Sequence, residues 1–262
     1  MTDNAKLLVT LEGGVKRITF NRPERRNSVD RETVGLLRAA VEESAQDGTR
    51  VVVLTGAGDS FCAGADLAAT SASDILTHDV TRSLRENINP TILAMRALPV
   101  PVIARVHGHA VGVGNNFALA CDLIVAAEDA RFGIPEVKRG LIAGDGGLVR
   151  LPRKLPPGIA MELALTGDPL SAVDAHAHGM VNRLTPSGGA LKESLELAAR
   201  VAANAPMAVS ASRQIVADAL DSPVSDGMRA VDGLMESIME SYDAREGALA
   251  FAEKRAPVWR NR

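Results

Sequence analysis

The sequence predicts an α/β fold, and three observations carry that reading. Two strongly β-prone runs, residues 50–55 (RVVVLT) and Val102–Val106 (VIARV), each lead into a glycine-containing turn, and each turn is followed by small and apolar residues that open a helix. A hairpin signal stands before the first run, and helical spacing separates the two. Of the 262 residues 46% are apolar, enough to bury one large core, or a core with a smaller appendage. Aromatics are only 3%, so aliphatic side chains must do the packing.

Taken in order, residues 7–11 and Val15–Phe20 flank Gly13-Gly14 and read as a hairpin, ended by Asn21-Arg22-Pro23. Asp30 is placed to cap a helix marked by Val34, Leu37, Val41 and Ala45, and Gly48 stops it. Residues 68–79, rich in Ala, Ser, Thr and Asp, read as a loop or a loosely held helix. Leu84, Ile88, Leu93 and Leu98 mark a helix with a break or new start at Pro90. Residues 123–126 and 130–132 are short strands, and 140–147 is a glycine-rich loop. Residues 151–157 read as a rigid proline-bearing connection, followed by helices at 159–165 and 174–178 and a strand at 180–184. From Gly189 onward four striped helices follow, marked by Leu191 to Val201, Pro206 to Leu220, Met228 to Ile238 and Ala244 to Lys254.

Composition excludes several classes. A net charge of −3 argues against a general nucleic-acid surface. Cys62 and Cys121 make no disulfide framework, and their small apolar neighbours suit buried thiols. No signal-peptide pattern and no membrane-length apolar run is present, which leads to the expectation of a soluble cytoplasmic protein.

The chemistry gathers at 107–122, HGHAVGVGNNFALACD, where Gly112 and Gly114 lie between a strand and a helix start. The first amides of a helix lack partners and carry the positive end of its dipole. Glycine at such a turn lets a ligand approach the backbone. Taken alone, this is a strand-to-helix connection. A second one at 56–67 changes that reading, because donors on two separate turns can clamp one oxygen that gains negative charge.

FCAGADL at 61–67, HGHAVGVGNNFALACDL at 107–123 and RFGIPEVKRGLIAGDGGLVRLP at 131–152 resemble the enoyl-CoA hydratase/isomerase (crotonase) family. The resemblance runs from the opening hairpin to FAEKR near the C-terminus. It implies a spiral of repeated β-β-α turns over 1–188 and, over 189–262, a helical region for trimerisation and closure of the coenzyme A site, with trimers often paired into hexamers. The implied substrate is an unsaturated acyl-CoA of fatty-acid or related metabolism, with no cofactor beyond the coenzyme A it carries.

By motif position the resemblance makes the amides of Ala65 and Val113 the oxyanion donors; each such donor can contribute roughly 2.7–4 kcal/mol in a transition state. A glycine is usual at 113, and the valine side chain could narrow the pocket or tilt the turn. Ala63, Gly64, Asp66 and Leu67 fall along the coenzyme A contact, although Asp66 also reads as a helix cap. Arg25 or Arg26 falls near the nucleotide phosphates, where a planar fork can donate twice. Phe251 and Lys254, one helical turn apart, match a pair bordering the same site, or are a packed Phe beside a solvated Lys.

Glu136 aligns with one hydratase glutamate, and burial beside an acyl chain would raise its pKa toward neutrality. Asn116 stands where the other glutamate is usual. An amide cannot exchange a proton, so it can only hold a water or substrate group, or cap the following helix. A single base suits double-bond isomerisation better than hydration, unless Asp145 in the glycine loop supplies the second carboxylate. Decarboxylation, thioester cleavage and non-catalytic acyl-CoA binding are the competing readings. His107-x-His109 and His176-x-His178 are conceivable metal pairs, but His107 fits the family's turn. No third dinucleotide-type glycine, phosphate-loop lysine or serine elbow is present.

Overall fold

The structure is a computed structural model that describes residues 5–66 and 79–261. Its main sheet has six strands, in the order β1 (Leu7–Glu12), β2 (Val15–Phe20), β3 (Val51–Gly56), β4 (Val102–Val106), β6 (Leu123–Ala127) and β9 (Arg183–Thr185). The β1–β2 hairpin is antiparallel, and every other pairing is parallel. A smaller sheet joins β5 (His109–Val111), β7 (Arg131–Gly133) and β8 (Leu170–Ser171).

Both faces of the main sheet are covered, so its central strands are apolar throughout, as buried parallel strands must be. Val52, Leu54, Ala104, Val106, Ile124 and Ala126 face the larger core. Val51, Val53, Ile103, Val125 and Ala127 face the opposite way, against Ala190, Ala198 and Ala202. These alanines lie on helix Ala190–Ala202, so the first of the C-terminal helices shares a core with the sheet. The following helix, Pro206–Asp218, is tied down by Arg213, which donates to Asp122 Oδ2 at 2.8 Å and to the Leu98 carbonyl at 2.7 Å.

The expected cap at Asp30 is present: its carboxylate accepts from the Thr33 amide at 2.9 Å and starts helix Arg31–Glu43. Pro90 opens helix Asn89–Ala97, and a π-helical stretch, Leu84–Ile88, precedes it. Two expectations differ. The supposed connection from Leu151 belongs instead to helix Gly147–Lys154, with Pro152 inside it. Buried Leu151 anchors this short helix on the core, which outweighs the loss of one amide. The strand expected at 180–184 begins only at Arg183, because the Met180 and Val181 amides turn back to the Ala175 carbonyl. The loop reading of 68–79 lies outside the described residues except at Asp79, which opens helix Asp79–Ser83.

Candidate active site

The two turns are held together by backbone bonds. Phe61 and Cys62 donate to the carbonyls of His107 and His109, both at 2.9 Å, and Val111 donates back to Cys62 at 3.0 Å. On its other side the Val29 amide donates to Gly64 and the Asp66 amide to Val29. Helix Val113–Ala120 presses so closely on this segment that a Cβ at Gly114 would fall 2.2 Å from the Cys62 carbonyl oxygen. Gly112, at φ 54° and ψ −123°, turns strand β5 into that helix and donates to the Gly133 carbonyl at 2.9 Å.

Among the described residues, neither the Ala65 amide nor the Val113 amide donates to a protein group. Both residues border one cavity of about 510 Å³. The Val113 side chain is only 6% exposed and joins the main core.

Glu136 and Asp145 border the same cavity. Glu136 stands on the 3₁₀ helix Pro135–Arg139, and a Cβ at Gly112 would lie 3.0 Å from its Oε1, so the carboxylate abuts the second turn. Its Oε2 is buried without a partner. Burial pushes the Glu136 carboxyl above its ordinary pKa, and the nearby Asp145 charge adds to the rise. Burial also raises the Asp145 carboxyl, against a hydrogen bond from Asn116 Nδ2 to Oδ1. Arg150 Nη2 holds this loop through the Asp145 carbonyl at 2.7 Å. A second, apolar cavity of about 440 Å³ shares Glu136, Leu141 and Ile142 with the first.

The remaining predicted residues divide. Ala63 and Gly64 border the cavity. Asn116 is fully buried and does not; it is neither exposed to substrate nor the helix cap, since the cap position belongs to Gly112. Its Nδ2 donates to Asp145, which does border the cavity. The Asp66 carboxylate accepts from Arg22 Nη2 at 2.7 Å, an internal ion pair joining the hairpin's end to the first turn. Arg25 is exposed on a short 3₁₀ turn, and Leu67 lies outside the described residues. Phe251, 88% exposed, and Lys254 lie at the end of helix Tyr242–Glu253 and do not border this cavity. Among the described residues no group of three potential metal ligands occurs. His107 is occupied by Arg105 Nη1 at 2.6 Å and the Gly58 carbonyl at 2.8 Å. Both cysteines are buried, and burial pushes the Cys62 thiol up to about 12.

The family profile described as enoyl-CoA hydratase/isomerase matches residues 10–262. The chain belongs to the enoyl-CoA hydratase/isomerase family. A carnitinyl-CoA dehydratase of Salmonella typhi is 37% identical over 262 residues, covering 98% of both chains. Among solved structures, an enoyl-CoA hydratase from Mycobacterium marinum is 43% identical with a TM-score of 0.85, covering 98% of this chain and 100% of that one. An enoyl-CoA hydratase from Bacillus anthracis, 33% identical, superposes with a TM-score of 0.91 over 98% of this chain and 100% of its own. The fold is therefore the crotonase fold, and the chain is an enzyme of this acyl-CoA lyase class.

Sequence reasoning missed Arg150, the Arg22–Asp66 pair and the arginines 31, 82 and 139 on the cavity wall. Arg139, Arg150 and Asp66 stand inside the quoted motifs, but the motifs do not say which group each of them faces.

Proposed function

We propose that this enzyme hydrates a 2-enoyl-CoA and dehydrates the corresponding 3-hydroxyacyl-CoA, with Glu136 and Asp145 as the two carboxylates. The observation that carries this reading is their shared position in one cavity, beside two free backbone amides, with both pKa values raised by burial. The names of the relatives, hydratase and dehydratase, support it as well.

In this scheme the thioester oxygen accepts from the Ala65 and Val113 amides. Ionised Asp145, oriented by Asn116, takes a proton from water as its oxygen bonds to Cβ. The π electrons move onto the thioester oxygen as an enolate. Protonated Glu136 then delivers its proton to Cα, and the enolate collapses. The proton gained by Asp145 returns to Glu136 through water, which restores the pair. Dehydration runs the same steps backward.

A second reading has its own observation. Of the two carboxylates, Glu136 has a buried oxygen without a partner, whereas Asp145 is tied to Asn116. One free base moving a proton between carbons is a 3-enoyl to 2-enoyl isomerase. Replacing Asp145 by Asn separates the two. On the two-carboxylate reading hydration falls by about 10²–10⁴-fold, the usual contribution of one acid–base group, while isomerisation of a 3-enoyl-CoA persists. Unchanged hydration, measured by chromatography of the 3-hydroxyacyl product, would remove Asp145 from the mechanism.

The same reading has the protein assemble as trimers, or as hexamers of paired trimers. Support comes from Val224, Met228, Met235 and Met239, which leave an exposed apolar stripe along helix Val224–Glu240. Arg25, Phe251 and Lys254 would then meet coenzyme A at or across a subunit boundary. No described helix is long and apolar enough to cross a membrane.

A further inference from the structure

The cavity wall carries arginines that an unsubstituted enoyl chain does not require. Arg31, Arg82 and Arg139 all border it, together with three acids, Glu86, Glu136 and Asp145. Arg82 lies 3.7 Å from Glu86. Lys138 is turned away and paired with Asp168 at 2.5 Å. Arg31 and Arg139 make no hydrogen bond or ion pair among the described residues.

Arg139 is the informative one. It follows Glu136 by three residues on one 3₁₀ helix. Side chains three apart on such a helix eclipse, separated by a rise of about 6 Å. Arg139 is exposed and borders the same cavity as the base. Its charge reaches Glu136, whose carboxyl it acts to lower. A neutral acyl tail has the adjoining apolar cavity, walled by Leu148, Leu151 and Ala160, available to it. An arginine fork on the wall of the base's cavity adds nothing for such a tail, but it matches a carboxylate in charge and shape.

We infer that Arg139, supported by Arg31, selects acyl-CoA thioesters whose acyl chain ends in a carboxylate. This rests on reading the cavity as the acyl-CoA site. The same arginine chemistry could instead meet the coenzyme A phosphates, and the test separates these sources.

The experiment is calorimetric binding of glutaryl-CoA and pentanoyl-CoA, saturated thioesters of equal carbon number, to the intact protein and to Arg139→Leu. The expected result is about tenfold tighter binding of glutaryl-CoA, in the range for a charged hydrogen bond, and loss of that preference in the variant with pentanoyl-CoA affinity kept. A trimethylammonium-ended acyl-CoA of the same length should bind more weakly than pentanoyl-CoA, and tighter binding would overturn the inference. Equal affinities in the wild type would also overturn it. So would a variant that weakens both thioesters equally, which would place the partner of Arg139 in the coenzyme A phosphates. The matching pantetheine thioesters, which lack the nucleotide, should keep the carboxylate preference. If neither CoA thioester bound at all, the acyl-CoA reading of the cavity would itself fall.

Discussion

Replacing Glu136 by Gln lowers turnover of an enoyl-CoA by about 10²–10⁴-fold while leaving coenzyme A affinity nearly intact. Glutamine keeps the size and one carbonyl oxygen beside Gly112 but cannot carry a proton to or from carbon. The loss should fall on kcat, because the group acts on the reacting atoms rather than on the coenzyme. Unchanged kcat would remove Glu136 from the chemistry under either reading. Where Glu136 acts as the base, as in isomerisation, wild-type kcat/KM should rise with pH through a pKa above the ordinary 4.5, since burial raises this carboxyl.

The same substitution has a thermodynamic signature. A carboxyl whose folded pKa is raised keeps its proton in the native state after the unfolded chain has released it. Wild-type stability therefore falls as pH rises through the window between the two values, with nothing lost below the unfolded pKa. Glutamine has no such window. The melting temperature of Glu136→Gln should gain on that of the wild type as pH rises above the ordinary 4.5, until the folded carboxyl has ionised. A gap that stays constant would mean that Glu136 is solvated in the folded protein.

How far the sequence reaches is visible in these residues. The strands were legible because β-branched runs such as VVVLT have one comfortable conformation, and the Asp30 cap because it has a local mechanism. Glu136, Ala65 and Val113 could be singled out because they stand inside recognisable motifs, and the fold brings all three to one cavity. Asn116 was located, but the helix cap offered for it belongs to Gly112. The fourth position of a helix does not reveal that its amide points to Asp145, 29 residues later in the chain. Pro152 argued for a break because proline propensity is local, whereas burial of Leu151 is tertiary and prevailed. The arginine wall had no signal at all: Arg31, Arg82 and Arg139 come from three separate elements, and their convergence is a property of the fold.

Adding one methyl group at Gly114 should be the most damaging small change to the site. Its Cβ would fall 2.2 Å from the Cys62 carbonyl oxygen and 2.8 Å from the Cys62 Cβ. The nearest obstacle is backbone rather than the end of a flexible side chain, so relief requires the helix and the 61–66 segment to part. Overpacking of this kind costs about 1–3 kcal/mol of stability. The activity loss should be larger in proportion, because the two surfaces forced apart carry the Ala65 and Val113 amides. A displacement of about 1 Å in a catalytic constellation can cost roughly 10²-fold in rate. Gly114→Ala should therefore lose kcat well beyond what its folded fraction explains, when both are measured at a temperature where the variant remains folded. Gly35→Ala is the matched control: it lies in helix Arg31–Glu43 with no atom within 4 Å of its Cβ position, and should gain about 0.4–1 kcal/mol with turnover unchanged. If Gly114→Ala turned over as fast as Gly35→Ala, the close approach of the two turns would be packing alone, and the thioester oxygen would have to be held elsewhere.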